Sequence, residues 1–402
     1  MRPVRADNDW IRRQNLNLVL NIIRQHQPVS RAKASRIAGL SRSTVSQIVS
    51  HLIDSGVVAE AGMGGSTGGR QPILLHIAPG SRLICAVHVD DVGIMRGRIE
   101  DLTGNVLGTA SGSVSGTASL VSSLAQMIGD LQCGRDSELV LVVLALPGVV
   151  SAQGTILSAV NLGWKDVDVV APLQSKLGVT VLSQNATGLA GYGEWDARRS
   201  GASTLLYVRV DWAVGASMVT ENQLYGGLRG SACEIGHMVV DPNGWLCRCG
   251  RRGCLETLAS RPGVGRRLRM LKDAGSLSRV DLTDDAVFEW VVRNEDNPVV
   301  SRVLIDIAAD MASAITNVLN LLGPDLVVVE SMLCASDLFW EELSRIVFAQ
   351  ALPFPAGKPE LARALLAEGS VLNGATAYAR HYFYEQAGLC RGLLQLHEGL
   401  QE

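Results

Sequence analysis

Three cysteines fall within eight residues, Cys247, Cys249 and Cys254 in CRCGRRGC, and His237 precedes the first of them by ten residues in EIGH. Three thiolates and one imidazole are the donors that complete a tetrahedral zinc shell. Gly250 and Gly253 allow the tight loop that such ligands require. A closed shell of four ligands leaves no position for an activated water, so the expected role of the zinc is structural. Three ordinary thiols, or disulfides, are the alternative, and a cytoplasmic setting disfavours disulfides. His237 can bind metal through one ring nitrogen and meet a neighbour through the other. The remaining cysteines, Cys85, Cys133, Cys233, Cys334 and Cys390, are scattered and read as small core residues.

A second set of chemically useful residues lies near the N-terminus. Ser41, Arg42, Ser43, Thr44 and Gln47 crowd the start of one predicted helix. Short donors and acceptors at that end of a helix suit the base edges and phosphates of the DNA major groove. Three elements must position them. Leu16, Val19, Leu20 and Ile23 recur at helical spacing, and Pro28 ends that helix. Ser30 can cap a second helix, RAKASRIA, which Gly39 stops. Ser41 can cap a third, in which Val45, Ile48, Val49, Leu52 and Ile53 keep the period. A short helix, a turn with glycine and a second amphipathic helix form a helix-turn-helix. The following text, VVAEAGMGGSTGGRQPILLHI, reads as a β-hairpin wing with Arg70 at its tip, placed to enter a minor groove or meet phosphate. A small helical hairpin for protein contacts is the competing reading.

Charge supports the DNA reading. Residues 1–75 carry a formal net charge of +6, whereas the whole chain carries −3, which leaves −9 on the remainder. With 402 residues, 47% of them hydrophobic and 19% charged, the chain has ample apolar surface for two or three folded domains and is not a disordered protein. Its longest apolar run, near Leu139 to Val150, is about a dozen residues, too short to span a bilayer. MRPVRADNDW has no apolar leader, so a soluble, cytoplasmic protein is expected.

From about residue 82 the chain alternates short apolar runs with helical stretches near 118–132, 186–199, 299–322 and 338–349. LICAVHV, ELVLVVLALPGVV, VTVLSQN, STLLYVRV and DLVVVES are the principal strands. Such alternation predicts an α/β body with a mixed or parallel sheet covered by helices, and similar strand sets before and after residue 200 point to two related lobes.

The segment GSACEIGHMVVDPNGWLCRCGRRGCLETLAS closely resembles the zinc signature of the ROK family of repressors, open reading frames and sugar kinases. ALPGVV, NLGW and NLLGPDLVVVE agree with it, so the resemblance covers nearly the whole chain once the winged head is added. It implies an actin-like, sugar-kinase-like fold of two lobes with a structural zinc loop. The expected division is a winged helix-turn-helix over 1–80, a first lobe over 81–200 and a second over 201–402, with the C-terminal helix returning to the first. It also implies homodimers or tetramers and a cleft for a sugar, a sugar derivative or a sugar phosphate. By resemblance the sugar would meet Gln184, Asn185, Glu234, His237 and Glu256, with Asn161 lining the same cleft. Glu234 and Glu256 could instead only brace the zinc loop.

Departures from the family pattern argue against catalysis. Family kinases carry a basic aspartate where Asn185 stands here, and an amide does not take a hydroxyl proton. Their two glycine-rich phosphate loops correspond to Asp90-Asp91-Val92-Gly93 and to Asp211-Trp212-Ala213-Val214-Gly215-Ala216, and a glycine pair corresponds to Glu330-Ser331. Carboxylates at those places repel phosphate. The expected function is a non-enzymatic regulator, a repressor of carbohydrate-uptake or catabolic genes that binds an operator and senses a sugar. A sugar kinase with an accessory head and a DNA binder without a small ligand are the alternatives.

Overall fold

A computed structural model of the chain describes residues 8–63, 71–151, 153–198, 201–227, 233–277, 283–352, 359–366 and 369–386. They form two compact units. The first takes the residues through Gly148, Gln153–Gln184 and those from Ala375 on; the second takes a short stretch from Val149 and Asn185–Gly374.

In the first unit α1 (Asn8–His26) buries Leu16, Val19, Leu20 and Ile23, the expected stripe. After β1 (Val29–Ser30), the Ser30 hydroxyl accepts the Lys33 amide at 3.2 Å and opens α2 (Arg31–Ala38). Gly39 closes α2 with φ of 65°, a left-handed value that a residue with a Cβ adopts at a cost. Ser41 caps α3 (Arg42–Asp54) by accepting the Thr44 amide at 3.1 Å, and Val45, Val49 and Leu52 anchor that helix in the core. β2 (Val58–Met63) and β3 (Ile73–Ile77) complete an antiparallel sheet ordered β1-β3-β2. Arg70 lies outside the described residues.

The chain continues through β4 (Arg82–Val89), β5 (Ile94–Asp101), β6 (Val106–Ser113), α4 (Thr117–Gln132), β7 (Glu138–Leu146), the two-residue β8 (Val149–Val150), the hairpin β9 (Thr155–Ala159) and β10 (Trp164–Asp168), α5 (Val170–Leu177) and β11 (Thr180–Asn185). The main sheet has the order β11-β7-β4-β5-β6, with β4 antiparallel to β5 and parallel to β7. β4 and β7 are buried almost throughout, which is why both read as unbroken apolar runs.

The second unit comprises α6 (Ala186–Arg198), β12 (Thr204–Val210), β13 (Val214–Thr220), β14 (Gln223–Leu224), α7 (Leu255–Ala259), α8 (Arg261–Asp273), α9 (Val287–Arg293), α10 (Pro298–Leu322), β15 (Leu326–Glu330), α11 (Asp337–Gln350), β16 (Glu360–Arg363) and the start of α12 (Ser370–Gln386). Its sheet has the order β14-β13-β12-β15-β16, with β12 antiparallel to β13 and parallel to β15. An antiparallel meander followed by parallel strands on its other side is thus built twice, as the repeated strand text implies. α10 is capped by Asn297, carries Pro298 in its first turn and ends at Gly323; its apolar face packs on β12 and β15.

α12 crosses the division, its first five residues counted with the second unit and the rest with the first. Its start lies against α6 without room for a side chain. A Cβ on Gly374 would stand 1.6 Å from the Leu189 carbonyl oxygen, and one on Gly193 would stand 2.9 Å from the Gly374 amide. Among the described residues no helix is long and apolar enough to cross a membrane.

Candidate functional site

The cysteine–histidine set comes together in one small loop. His237 ends a single 3-10 turn, Ile235–His237. Cys247 begins a tight turn, its amide donating to the Arg251 carbonyl at 2.7 Å and its carbonyl accepting the Gly250 amide at 3.0 Å. Gly250 has φ of 87° and Gly253 of 66°; a Cβ on Gly253 would overlap the Asp241 carbonyl. Cys254 then stands at the N-cap of α7. The four donor atoms all lie within 4.8 Å of one another, with His237 Nδ1 3.6 Å from Cys247 Sγ and Cys249 Sγ 3.6 Å from Cys254 Sγ.

Metal–sulfur bonds of about 2.3 Å give tetrahedron edges of about 3.7 Å, so the observed spacings fit a metal at the centre. Electrostatics agrees. The Arg251 amide, helped by its guanidinium, holds the Cys249 thiol down at about 6. Burial pushes the Cys247 and Cys254 thiols up, and the neighbouring Cys249 sulfur adds to the shift. The set can hold a metal ion and suits zinc by its donors. The Nδ1 contact leaves Nε2 of His237 for another partner. Of the remaining cysteines, Cys85 and Cys334 are buried as expected. Cys133 is not a core residue: it caps the C-terminal end of α4 and is exposed. Cys233 is half-buried, and Cys390 lies outside the described residues.

Glu234, His237 and Glu256 converge beside this loop. Loss of surrounding water raises the Glu234 carboxyl, His237 opposes that shift, and the Glu256 charge adds to it. Glu256, in the first turn of α7, accepts the Val214 amide at 3.3 Å and so also ties α7 to the hairpin end of β13. Asn185 acts as a cap: its side-chain carbonyl accepts the Thr187 amide at 2.8 Å and the Gly188 amide at 3.1 Å at the start of α6. In the first unit the Gln184 amide donates to the Tyr378 hydroxyl at 3.4 Å, and Asn161 is exposed in the 3-10 turn Val160–Leu162.

The segments corresponding to phosphate loops are filled by their own side chains. Asp90 accepts the Val92 amide at 3.1 Å, the Ile94 amide at 2.8 Å and Arg96 at 3.1 Å. Amides that would otherwise face an anion are therefore taken. Asp211 is ion-paired with Arg261, whose guanidinium also donates to the Asp285 carbonyl and covers the Phe288 ring at 4.8 Å. Glu330 pairs with Arg209 at 3.1 Å and accepts the Tyr207 hydroxyl. Burial and the Glu330 charge hold Tyr207 well above its ordinary value, so it stays protonated. Neither the Asp211–Arg261 pair nor the Tyr207–Glu330 contact was legible in the sequence, because each joins segments 50 or more positions apart.

On the head, Arg42, Ser43 and Gln47 are exposed on α3. The Ser41 hydroxyl is engaged in capping and lies 2.8 Å from those of Ser43 and Thr44, so Ser41 and Thr44 first serve the helix start. Lys33 and Arg36, which the residue pattern did not single out, are exposed one turn apart on α2.

The ROK family model matches residues 110–381, more than half of the chain. The chain belongs to the ROK family. The xylose repressor of Bacillus subtilis (strain 168) is 28% identical, over 82% of this chain and 85% of that protein. The DNA-binding transcriptional dual regulator NagC of Escherichia coli (strain K12) is 26% identical, over 82% of this chain and 83% of its own length. Among solved structures, a ROK family transcriptional regulator, a homologue of the E. coli MLC protein, superposes with a TM-score of 0.84 at 20% identity, covering 96% of this chain and 99% of that one. A ROK family glucokinase from Streptomyces griseus, in complex with glucose and AMPPNP, gives 0.61 at 20% identity over 74% of this chain and 99% of its own. The regulator match includes the N-terminal region, and both likenesses are of fold.

Proposed function

We propose that this ROK protein is a sequence-specific DNA-binding transcriptional regulator, a repressor whose body senses a sugar without phosphorylating it. The observation that carries the reading is the α2–α3 pair. Two serine-capped helices separated by Gly39 present Arg42, Ser43 and Gln47 at the start of the second, in a segment with net charge +6. Relatives spanning most of the chain are named for repression or transcriptional regulation, which favours the same reading.

In this account residues 1–80 form the winged head, 81–200 the first lobe and 201–402 the second, with the C-terminal helix returning to the first. Arg42 and Gln47 read base edges, while Ser43 and Arg70 meet the backbone. A homodimer or tetramer brings two heads to two half-sites. Zinc, held by His237, Cys247, Cys249 and Cys254, stiffens the loop that carries His237 and Glu256, and supplies no catalytic water. Glu234, Glu256 and Nε2 of His237 offer acceptors and a donor for neighbouring sugar hydroxyls, with Asn185 contributing an amide. The self-filled segments at Asp90, Asp211 and Glu330, and the amide at Asn185, speak against phosphoryl transfer.

The test is selection of duplexes from a random pool by the full chain, followed by titration of the recovered duplex with xylose, glucose and N-acetylglucosamine. A recovered consensus whose binding one sugar weakens supports the reading. Recovery of no consensus sinks it.

A further inference from the structure

Two carbonyls near the end of the described part of α12 are held by side chains of α1. Here the Asn21 side-chain amide donates to the Tyr384 carbonyl at 2.9 Å, and that of Asn17 donates to the Glu385 carbonyl. Both asparagines lie on α1, as does Arg24, whose guanidinium covers the Tyr384 ring at 4.7 Å. The Tyr384 hydroxyl in turn donates to the Leu102 carbonyl at 3.0 Å. Beside it, the buried Glu100 is paired with Arg98 and Arg380. α1 packs on both α2 and α3, so whatever holds α1 also orients the exposed start of α3.

At its other end α12 is clamped to α6. The Gly193–Gly374 approach brings the two backbones together with no side chain between them. α6 in turn begins at Asn185, whose carbonyl caps its first amides. The 17 residues of α12 span about 25 Å, from the α6 contact to the α1 contact.

We infer that Asn17, Asn21, Arg24 and Tyr384 are positioning residues that pass the state of the Asn185 end of α6, along α12, to the DNA-reading helix. The inference rests on the regulator reading above. A turn of α12 about its axis would withdraw both carbonyls from the asparagines and swing Tyr384 from under Arg24, so such a turn would unmake the contact. A physical chain of this kind carries coupling only if both ends bias it. That condition is open to measurement.

The experiment uses full-length protein, the duplex recovered by random selection, and xylose, glucose and N-acetylglucosamine as probes. Duplex affinity is measured with and without each sugar, and sugar affinity by calorimetry, for the unaltered chain and for the pair Asn17→Ala and Asn21→Ala. Coupling of ordinary size weakens duplex binding roughly 5–150-fold when sugar is present. The paired variant is expected to bind sugar normally while that factor falls to about one. Zinc content and melting temperature report folding; should the pair not fold, Arg24→Ala is read the same way and its factor should shrink. An unchanged release factor in a folded variant overturns the inference. An unaltered chain that binds its duplex but releases it for no sugar also overturns it, and leaves the DNA reading standing. A chain with no preferred duplex removes the regulator reading and this inference together.

Discussion

The carboxylate of Asp90 accepts the main-chain amide of Ile94 at 2.8 Å, closing the turn between β4 and β5 on itself. A side-chain anion occupies the donors, so a phosphate arriving there would meet like charge and no free amide. At the second segment the Asp211 side chain is instead engaged by Arg261. Restoring one catalytic group should therefore not restore catalysis. The variant Asn185→Asp, supplied with ATP and glucose, xylose or N-acetylglucosamine, is expected to form no sugar phosphate. Product above the uncatalysed background would refute the self-filled-loop argument.

With zinc held as proposed, removal of one cysteine of the Cys3His cluster should be felt through the whole loop. Cys249→Ser is expected to hold less than one zinc per chain and to melt earlier, since ligand binding and folding of such loops are linked. Metal analysis and a melting curve are sufficient. Full zinc occupancy in that variant would show that Cys249 is not a ligand.

Asp101 supplies a pH signature. Burial alone would raise its carboxyl, but bonds from Thr103, Asn105 and the Gly80 amide outweigh that and hold it below the ordinary value. A group depressed in the folded state stabilises above its unfolded pKa, near 4, and loses that contribution as pH falls through the folded value. Asp101→Asn should lower the melting temperature at pH 7, and the gap from the unaltered chain should narrow below about pH 4. A gap that is constant from pH 7 to pH 3 would mean the charge contributes nothing.

Gly374→Ala should be harmful out of proportion to one methyl group. Its Cβ would overlap the Leu189 carbonyl, so α12 must shift off α6, at a cost of about 1–3 kcal/mol or more. A melting temperature equal to that of the unaltered chain would show that the helices slide freely.

Much of the head was legible because its determinants are local. Ser30, Gly39 and Ser41 punctuate α2 and α3 within a dozen residues, and each works through bonds to near neighbours. The Cys3His cluster was legible for the same reason: Cys247, Cys249 and Cys254 lie within eight residues, and His237 is ten positions before the first. What escaped was non-local. Asn21 meets the Tyr384 carbonyl 363 positions on, and nothing in the text around either residue announces the other. Cys133 escaped for a different reason, since a thiol at a helix end reads like a thiol in a core until its exposure is known.

Two substitutions on α3 should separate reading from scaffolding. Gln47→Ala is expected to cost about 1–3 kcal/mol on the selected duplex and little on unrelated DNA. Ser41→Ala removes the cap and should cost about 1 kcal/mol of stability. Anisotropy titrations on both duplexes, beside melting curves, distinguish the two effects. Equal losses on both DNAs for Gln47→Ala would remove it from base reading.

The most direct measurement of the central claim is the linkage between sugar and DNA. Duplex affinity is determined with and without saturating sugar, and the affinity for that sugar is determined with and without saturating duplex. A regulator of this kind must show the same factor in both directions, above one, because the coupling free energy is shared. A factor of one for every sugar, or the absence of any preferred duplex, would contradict the account.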